Sequence, residues 1–383
     1  MDHADSQNSL LILGVHLKSE GYPNTLYRLR DLESSGLFQM SEINVPMWSG
    51  GTQDRRGFSR LTRNFWRAVI AHIIVTIRYL AARRPERVYV PYPSVFVLFL
   101  LSLLPAWRRP RYIVADVFIS LYDTIVLDRR LIKQDGLPAR ILKRIERRAY
   151  VCADKLVADT PQNARFLCSL FKLPETKFAV VPLSTDEIHF KYTPYQPSHG
   201  VCRVLYVGTM APLHGMATIL EAASLLSKRP DIRFKLIGDG QDAPIVEARL
   251  RAHLPNLEWE RAWQPSHRIA EEISRADICL GIFGAGDKAQ RVCPFKIYAY
   301  ASMGRAVITG ETLWLRETVQ LPGETFASVP VNDAAALTAK IIQLADAPAL
   351  RAKLAVNSRQ FYENHLSNQA ALRQVAQVFA HLR

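Results

Sequence analysis

Twice along this chain, short runs of β-branched and aliphatic residues alternate with longer stretches whose apolar residues recur every three or four positions. The first half reads "LLILGVHL", "RVYVPY", "RYIVADV", "KLVAD" and "KFAVVP"; the second reads "RVLYVG", "DIRFKLIGDG", "ADICLGIFG", "RAVITG" and "TFASVP". Strands that alternate with helices pair in parallel, and a parallel sheet has to be covered on both faces, so the pattern restricts the chain to doubly wound α/β architecture. The alternation breaks once, at "FKYTPYQPSHG" (Phe190 to Gly200), which is rich in proline and polar residues and has no period. A chain of 383 residues exceeds the length over which one core keeps growing. The break is therefore expected to link two Rossmann-like parallel-sheet domains, with a ligand in the cleft where the carboxyl ends of their strands meet. The last segment, "NQAALRQVAQVFAHLR" (Asn368 to Arg383), is an amphipathic helix with Leu372, Val375, Val378, Phe379 and Leu382 on one side; periodicity alone does not assign it to either domain.

Several classes drop out. The five cysteines have neither zinc-ligand nor CxxC spacing and are expected to be reduced core residues. The opening "MDHADSQNSLLILG" lacks the basic-then-apolar build of a secretion signal, which points to a cytoplasmic protein. The longest apolar run, "VFVLFLLSLLPAW" (Val95 to Trp107), contains a proline and falls short of the roughly 20 residues of a spanning helix. His16 and His72 stand alone, without a partner spacing that suggests a metal.

The net charge of +14 is concentrated: residues 51 to 150 hold 20 Lys and Arg against 7 Asp and Glu, a balance of +13. Within them, "SRLTRNFWRAVIAHIIVTIRYLAARR" (Ser59 to Arg84) is expected to pack through Leu61, Phe65, Val69, Ile73, Ile77 and Leu80, with Arg60, Arg63 and Arg67 on another face beside Trp66. "ARILKRIERRAY" (Ala139 to Tyr150) is a second basic helix. Two readings stand: core-packed helices with solvated outer faces, or a peripheral contact with an anionic membrane surface on the inner face of the membrane. Nucleic acid is not expected as a partner, because no recognition-helix or base-stacking motif accompanies the charge.

Glycine-bearing turns follow strands at Gly14, "VGTMAPLHG" (Val207 to Gly215), "IGDG" (Ile237 to Gly240) and "GIFGAG" (Gly281 to Gly286). Such turns let a phosphate approach the backbone and the N–H groups of the helix that follows. There is no Walker-type Gly-Lys-Ser/Thr, no GxGxxG after the first strand and no DxD, so neither a dinucleotide cofactor nor a chelated metal is indicated. A diphosphate leaving group without a metal needs protein cations, and "GDKAQRVCPFK" supplies Lys288, Arg291 and Lys296, with Pro294 at the start of a helix.

Taken in order, "YVGTMAPLHGMATILEAASLL", "IRFKLIGDG" and "ADICLGIFG", then "DKAQRVCPFKIYAYASMGRAVITGET" and the residues Leu315 to Val319, closely resemble glycosyltransferase family 4, the retaining enzymes of the GT-B fold. "DVFISLYDT" (Asp116 to Thr124) and "ADKLVADTPQNARFL" (Ala153 to Leu167) are similar to one bacterial subgroup. The resemblance implies an acceptor-binding domain over 1–190, a nucleotide-sugar donor domain over 201–364, and a last helix, 365–383, that crosses back onto the first domain. It implies transfer of a sugar from a nucleoside diphosphate sugar to a glycan or lipid-linked acceptor in cell-envelope polysaccharide or glycolipid assembly. By the same resemblance the donor would lie against Gly208, Thr209, His214, Gly238 and Gly240, with Lys288, Arg291, Pro294 and Lys296 holding its phosphates. Gly21, in "GYPNT", would face those phosphates, and Asp116 stands where many members carry a sugar-facing histidine, as the candidate catalytic residue that would orient the acceptor hydroxyl or contact the donor sugar. His214 and Thr209 occupy positions that are often lysine and arginine in the family; Arg291 and Ala299 occupy those of its paired glutamates, and Ala299 removes the usual ribose contact. A non-catalytic sugar-nucleotide-binding subunit, or an epimerase or hydrolase of the same architecture, are the alternatives.

Overall fold

The computed structural model describes residues 9–19, 23–47, 58–198, 200–252 and 254–382, the side chains of 58–65 and 322 excepted. Two compact units divide the chain, one made of Met1–Ser184 with Ala371–Arg383, the other of Thr185–Ala370. Each holds a six-stranded, wholly parallel sheet flanked by helices.

In the first unit the strands are β1 (Ser9–Gly14), β2 (Gln39–Asn44), β3 (Arg87–Val90), β4 (Tyr112–Asp116), β5 (Lys155–Ala158) and β6 (Phe178–Val180), in the spatial order β2-β1-β3-β4-β5-β6. In the second they are β7 (Cys202–Val207), β8 (Ile232–Ile237), β9 (Leu257–Glu260), β10 (Ile278–Leu280), β11 (Ala306–Gly310) and β12 (Ala327–Val329), in the order β12-β11-β10-β7-β8-β9. The winding reverses between β1 and β3 in one sheet and between β7 and β10 in the other. At such switch points the loops leave the strand ends in opposite directions and open a crevice for a ligand.

The period of two along β1 sorts its side chains between two cores. Leu11 and Leu13 join Val88, Val90, Ile113 and Ala115 on one face. Leu10 and Ile12 join Leu29, Leu32 and Val114 on the other, where Ala371, Val375, Val378 and Phe379 of the Asn368–Ala380 helix complete the core. The last helix thus returns to the first sheet, with the Phe379 ring edge-on to Phe38 at 5.1 Å.

The segment expected as a linker is irregular but fastened to the second unit. Tyr195 Oη donates to Asp277 (2.7 Å), as does Ser198 Oγ (2.6 Å), and Arg305 donates to the Thr193 carbonyl and hydroxyl (2.9 and 2.7 Å).

One packing expectation is overturned. The Phe58–Ala81 helix does not face the core through Ile73, Ile77 and Leu80, which are exposed; Ala71, His72, Val75 and Tyr79 are buried instead. The helix is apolar on two sides between 68 and 80, and the buried side is the one from which the Tyr79 hydroxyl reaches the Arg108 carbonyl (2.7 Å). His72 Nδ1 bonds to the Ala68 carbonyl of its own helix, and buried His16 pairs with Glu42 at 3.0 Å, so both histidines have ordinary structural partners.

Candidate functional site

At the switch point of the second sheet, β7 ends in Tyr206 and Val207, and the turn that opens with Gly208 is tied to both neighbouring loops. Gly208 donates to the Ile237 carbonyl (3.0 Å) and Met210 to the Asp239 carbonyl (3.0 Å), which joins it to the turn after β8. Phe283 and Gly284 donate to the carbonyls of His214 and Leu213 (both 3.1 Å), which joins it to the loop after β10. This closeness accounts for Gly238. Its φ is +131°, and a Cβ there would stand 2.1 Å from the Gly208 carbonyl oxygen. Gly240 meets the Met210 backbone in the same way. Gly238→Ala is therefore expected to cost more than about 1 kcal/mol of stability, since an L side chain is strained at that φ before any clash is relieved; a urea unfolding curve for the variant measures it.

Lys296 is the second residue of the Phe295–Ser302 helix, which begins immediately after Pro294. Its ammonium lies 3.9 Å from the centroid of the Tyr206 ring, and a Cβ at Gly208 would come within 3.1 Å of Nζ. The side chain is buried, and Nζ has no hydrogen-bond partner among the described residues. Burial holds its pKa well below the usual lysine range. Tyr206 Oη donates to the Thr209 carbonyl (3.1 Å) and lies 2.6 Å from His214 Nδ1. His214 is itself buried and held well below the ordinary histidine range, first by burial and then by the charge of Lys296.

The other expected residues fall around this point. Thr209 is exposed on the turn; Gly215, with φ +68°, ends the Pro212–His214 turn and opens the Met216–Leu225 helix. The short Asp287–Arg291 helix packs against the Pro212–His214 turn, carrying Lys288, half-buried, and Arg291, buried at its end. Ala299 is buried in the body of the Phe295–Ser302 helix, and Arg305 secures that helix's end through the carbonyls of Met303 and Gly304 (2.8 and 3.0 Å). Gly21 lies outside the described residues. No group of three or more His, Cys, Asp or Glu side chains that could hold a metal occurs among the described residues.

Asp116, in the first unit, is paired within its own protein through one carboxylate oxygen. At the end of β4, beside the switch point of that sheet, its buried carboxylate pairs with Arg28 (3.1 Å) and accepts from the Tyr89 hydroxyl (2.8 Å). Arg28 also donates to the Pro182 carbonyl (2.5 Å). Burial pushes the Asp116 carboxyl above its usual range, with Arg28 opposing. Sequence reasoning missed Arg28, Tyr89 and Tyr206. The only signal for Tyr206 was a lone aromatic near the end of a strand, ahead of a glycine turn.

Residues 202–347 match the model of the family described as Glycosyl transferases group 1. Among curated protein sequences none matches this one at a significant level. Solved structures share its fold over nearly the whole length. HepE of Anabaena, solved with UDP, is 12% identical with a TM-score of 0.70, covering 97% of this chain and 100% of its own. Sucrose-phosphate synthase of Thermosynechococcus elongatus is 15% identical with a TM-score of 0.73, covering 98% of this chain and 99% of its own. A glycosyltransferase of Rickettsia africae is 17% identical with a TM-score of 0.63, again covering 98% and 99%. The family match thus falls within the second unit, and the chain has the two-sheet GT-B fold of these solved proteins.

Proposed function

We propose that the chain is a metal-independent, retaining glycosyltransferase that moves a sugar from a nucleoside diphosphate sugar to a hydroxyl of a glycan or lipid-linked acceptor, in cell-envelope polysaccharide or glycolipid assembly. The observation that carries the reading is the Lys296 amine: buried, without a hydrogen-bond partner among the described residues, and set against a glycine turn at a sheet switch point. A buried amine left unsatisfied by its own protein is costly unless an anion completes it. A pyrophosphate over Gly208 would do so, with Arg291 and Lys288 on the adjoining short helix adding charge.

The chemistry then asks little else of the protein. The bond from the anomeric carbon to the phosphate oxygen breaks, the acceptor oxygen bonds to that carbon on the same face, and the acceptor proton passes to the departing phosphate. Lys296 stabilises the negative charge that grows on the diphosphate in the transition state. With the Tyr206 hydroxyl proton given to the Thr209 carbonyl, His214 would donate from Nδ1 to Tyr206, and its other ring nitrogen would be left as an acceptor for a hydroxyl of the donor. The first unit would take the acceptor. HepE has been solved with UDP, with UDP-glucose, and with UDP and glucose, which makes uridine nucleotides the first donors to try.

The test is calorimetric titration with a panel of nucleoside diphosphates, followed by product analysis of the matching sugar donor with and without an acceptor. Saturable binding of one diphosphate and acceptor-dependent transfer are expected. Failure of every nucleotide to bind would sink the reading, and binding with no transfer to any acceptor would favour a sugar-nucleotide-binding subunit.

A further inference from the structure

The face that the Phe58–Ala81 helix turns away from its sheet is built unlike a solvated one. Trp66, Ile70, Ile73 and Ile77 are 62, 52, 51 and 60% exposed, and Leu80 follows at 38%. Their spacing of four, three, four and three residues lays them along one continuous stripe. Single exposed apolar residues are common on protein surfaces, but a row of five bulky ones marks a contact surface. The stripe continues past the helix. Arg108 donates to the Leu80 carbonyl (3.5 Å) and accepts from Tyr79, which anchors the Ala106–Arg108 turn there with Trp107 66% exposed.

Charge narrows the choice of partner. Residues 58 to 84 contain six arginines and no aspartate or glutamate. Of the described ones, Arg67, Arg78, Arg83 and Arg84 are exposed beside the stripe. A second copy of the chain would bring the same cations against themselves. Interface cores between proteins are also depleted of charge, whereas an apolar row edged by arginine and capped by tryptophan suits the boundary between phosphate headgroups and acyl chains. No helix among the described residues is long and apolar enough to cross a membrane, so the contact would be with the surface.

We propose that this stripe docks on an anionic bilayer, the helix lying in the headgroup plane with its apolar side chains among the upper acyl carbons and its arginines on lipid phosphates. The proposal stands apart from the donor site, because it uses no residue of the second unit.

Co-sedimentation of the full chain with vesicles tests it, using phosphatidylcholine alone against roughly three parts phosphatidylcholine to one of phosphatidylglycerol. The protein is expected to pellet with the mixed vesicles at low salt and to stay largely in solution with phosphatidylcholine. Two surface double variants, Ile73→Ser with Ile77→Ser and Arg67→Ser with Arg78→Ser, are each expected to lower partitioning by about tenfold or more, with circular dichroism unchanged. Equal partitioning to both vesicles, or retention by the isoleucine variant, would overturn the proposal. So would light scattering that shows a dimer which the isoleucine variant converts to monomer, since the stripe would then belong to a second copy.

Discussion

Lys296→Met is expected to weaken nucleoside diphosphate binding by about ten- to a hundredfold while leaving the empty protein as stable as the parent, or more so. The binding loss follows from removing a charge-assisted contact worth about 1.5–3 kcal/mol. The stability result follows from burial: the amine is desolvated and has no hydrogen-bond partner among the described residues, and methionine fills similar volume without that cost. A merely structural lysine would give the opposite pair of results, so unfolding curves and titrations on one preparation separate the two. Protons supply a second readout. In the empty site the pKa of Lys296 is depressed, and a bound diphosphate raises it, so binding takes up protons at any pH between the free and bound values. Affinity should fall as pH rises through that window, and the binding enthalpy of the parent should vary with the ionisation heat of the buffer. The variant should lose that dependence. Unchanged affinity in Lys296→Met would end the phosphate assignment.

Breaking the Arg28–Asp116 pair from one side is expected to cost about 3–5 kcal/mol, because each single substitution leaves a buried charge without its partner. Arg28→Met and Asp116→Leu should each lower the urea midpoint steeply. Their combination should cost far less than the sum, since both charges leave together. The experiment also decides what Asp116 is for. A carboxylate that serves the acceptor would give, in Asp116→Asn, slow turnover on a nearly unperturbed fold. The geometry predicts the reverse emphasis, a destabilised first sheet whose β4 end and Pro23–Ser34 helix are no longer held to each other by the ion pair.

Much of the architecture was readable because parallel strands buried on both faces are written as nearly continuous aliphatic runs, and ten of the twelve were expected from such runs. The two that were not, "QMSEIN" and "LEWE", are edge strands. With one side of the ladder open to water, polar residues stand in them at little cost, and the hydrophobic signal disappears. The glycine turns were visible, but their reasons were not. Gly238 and Gly240 read as places for a ligand to approach, and the structure shows backbone already pressed against both. Charge was visible without its direction: Lys288, Arg291 and Lys296 looked equivalent in sequence, and only Lys296 proves to lie over Tyr206, since that contact joins residues 90 positions apart. The Phe58–Ala81 helix failed differently, because two apolar stripes satisfy the same period and only the partner surface selects one.

The return of the Asn368–Ala380 helix to the first sheet bears on how the protein is made. A ribosome finishes the strands β1 to β6 early, yet the face that includes Leu10, Ile12 and Val114 has only Leu29 and Leu32 of the Pro23–Ser34 helix on it, and its cover is incomplete until Val375 and Phe379 emerge. At about 5–20 residues per second the delay is on the order of tens of seconds, during which the second unit can complete its own core. The half synthesised first is thus the half that matures last.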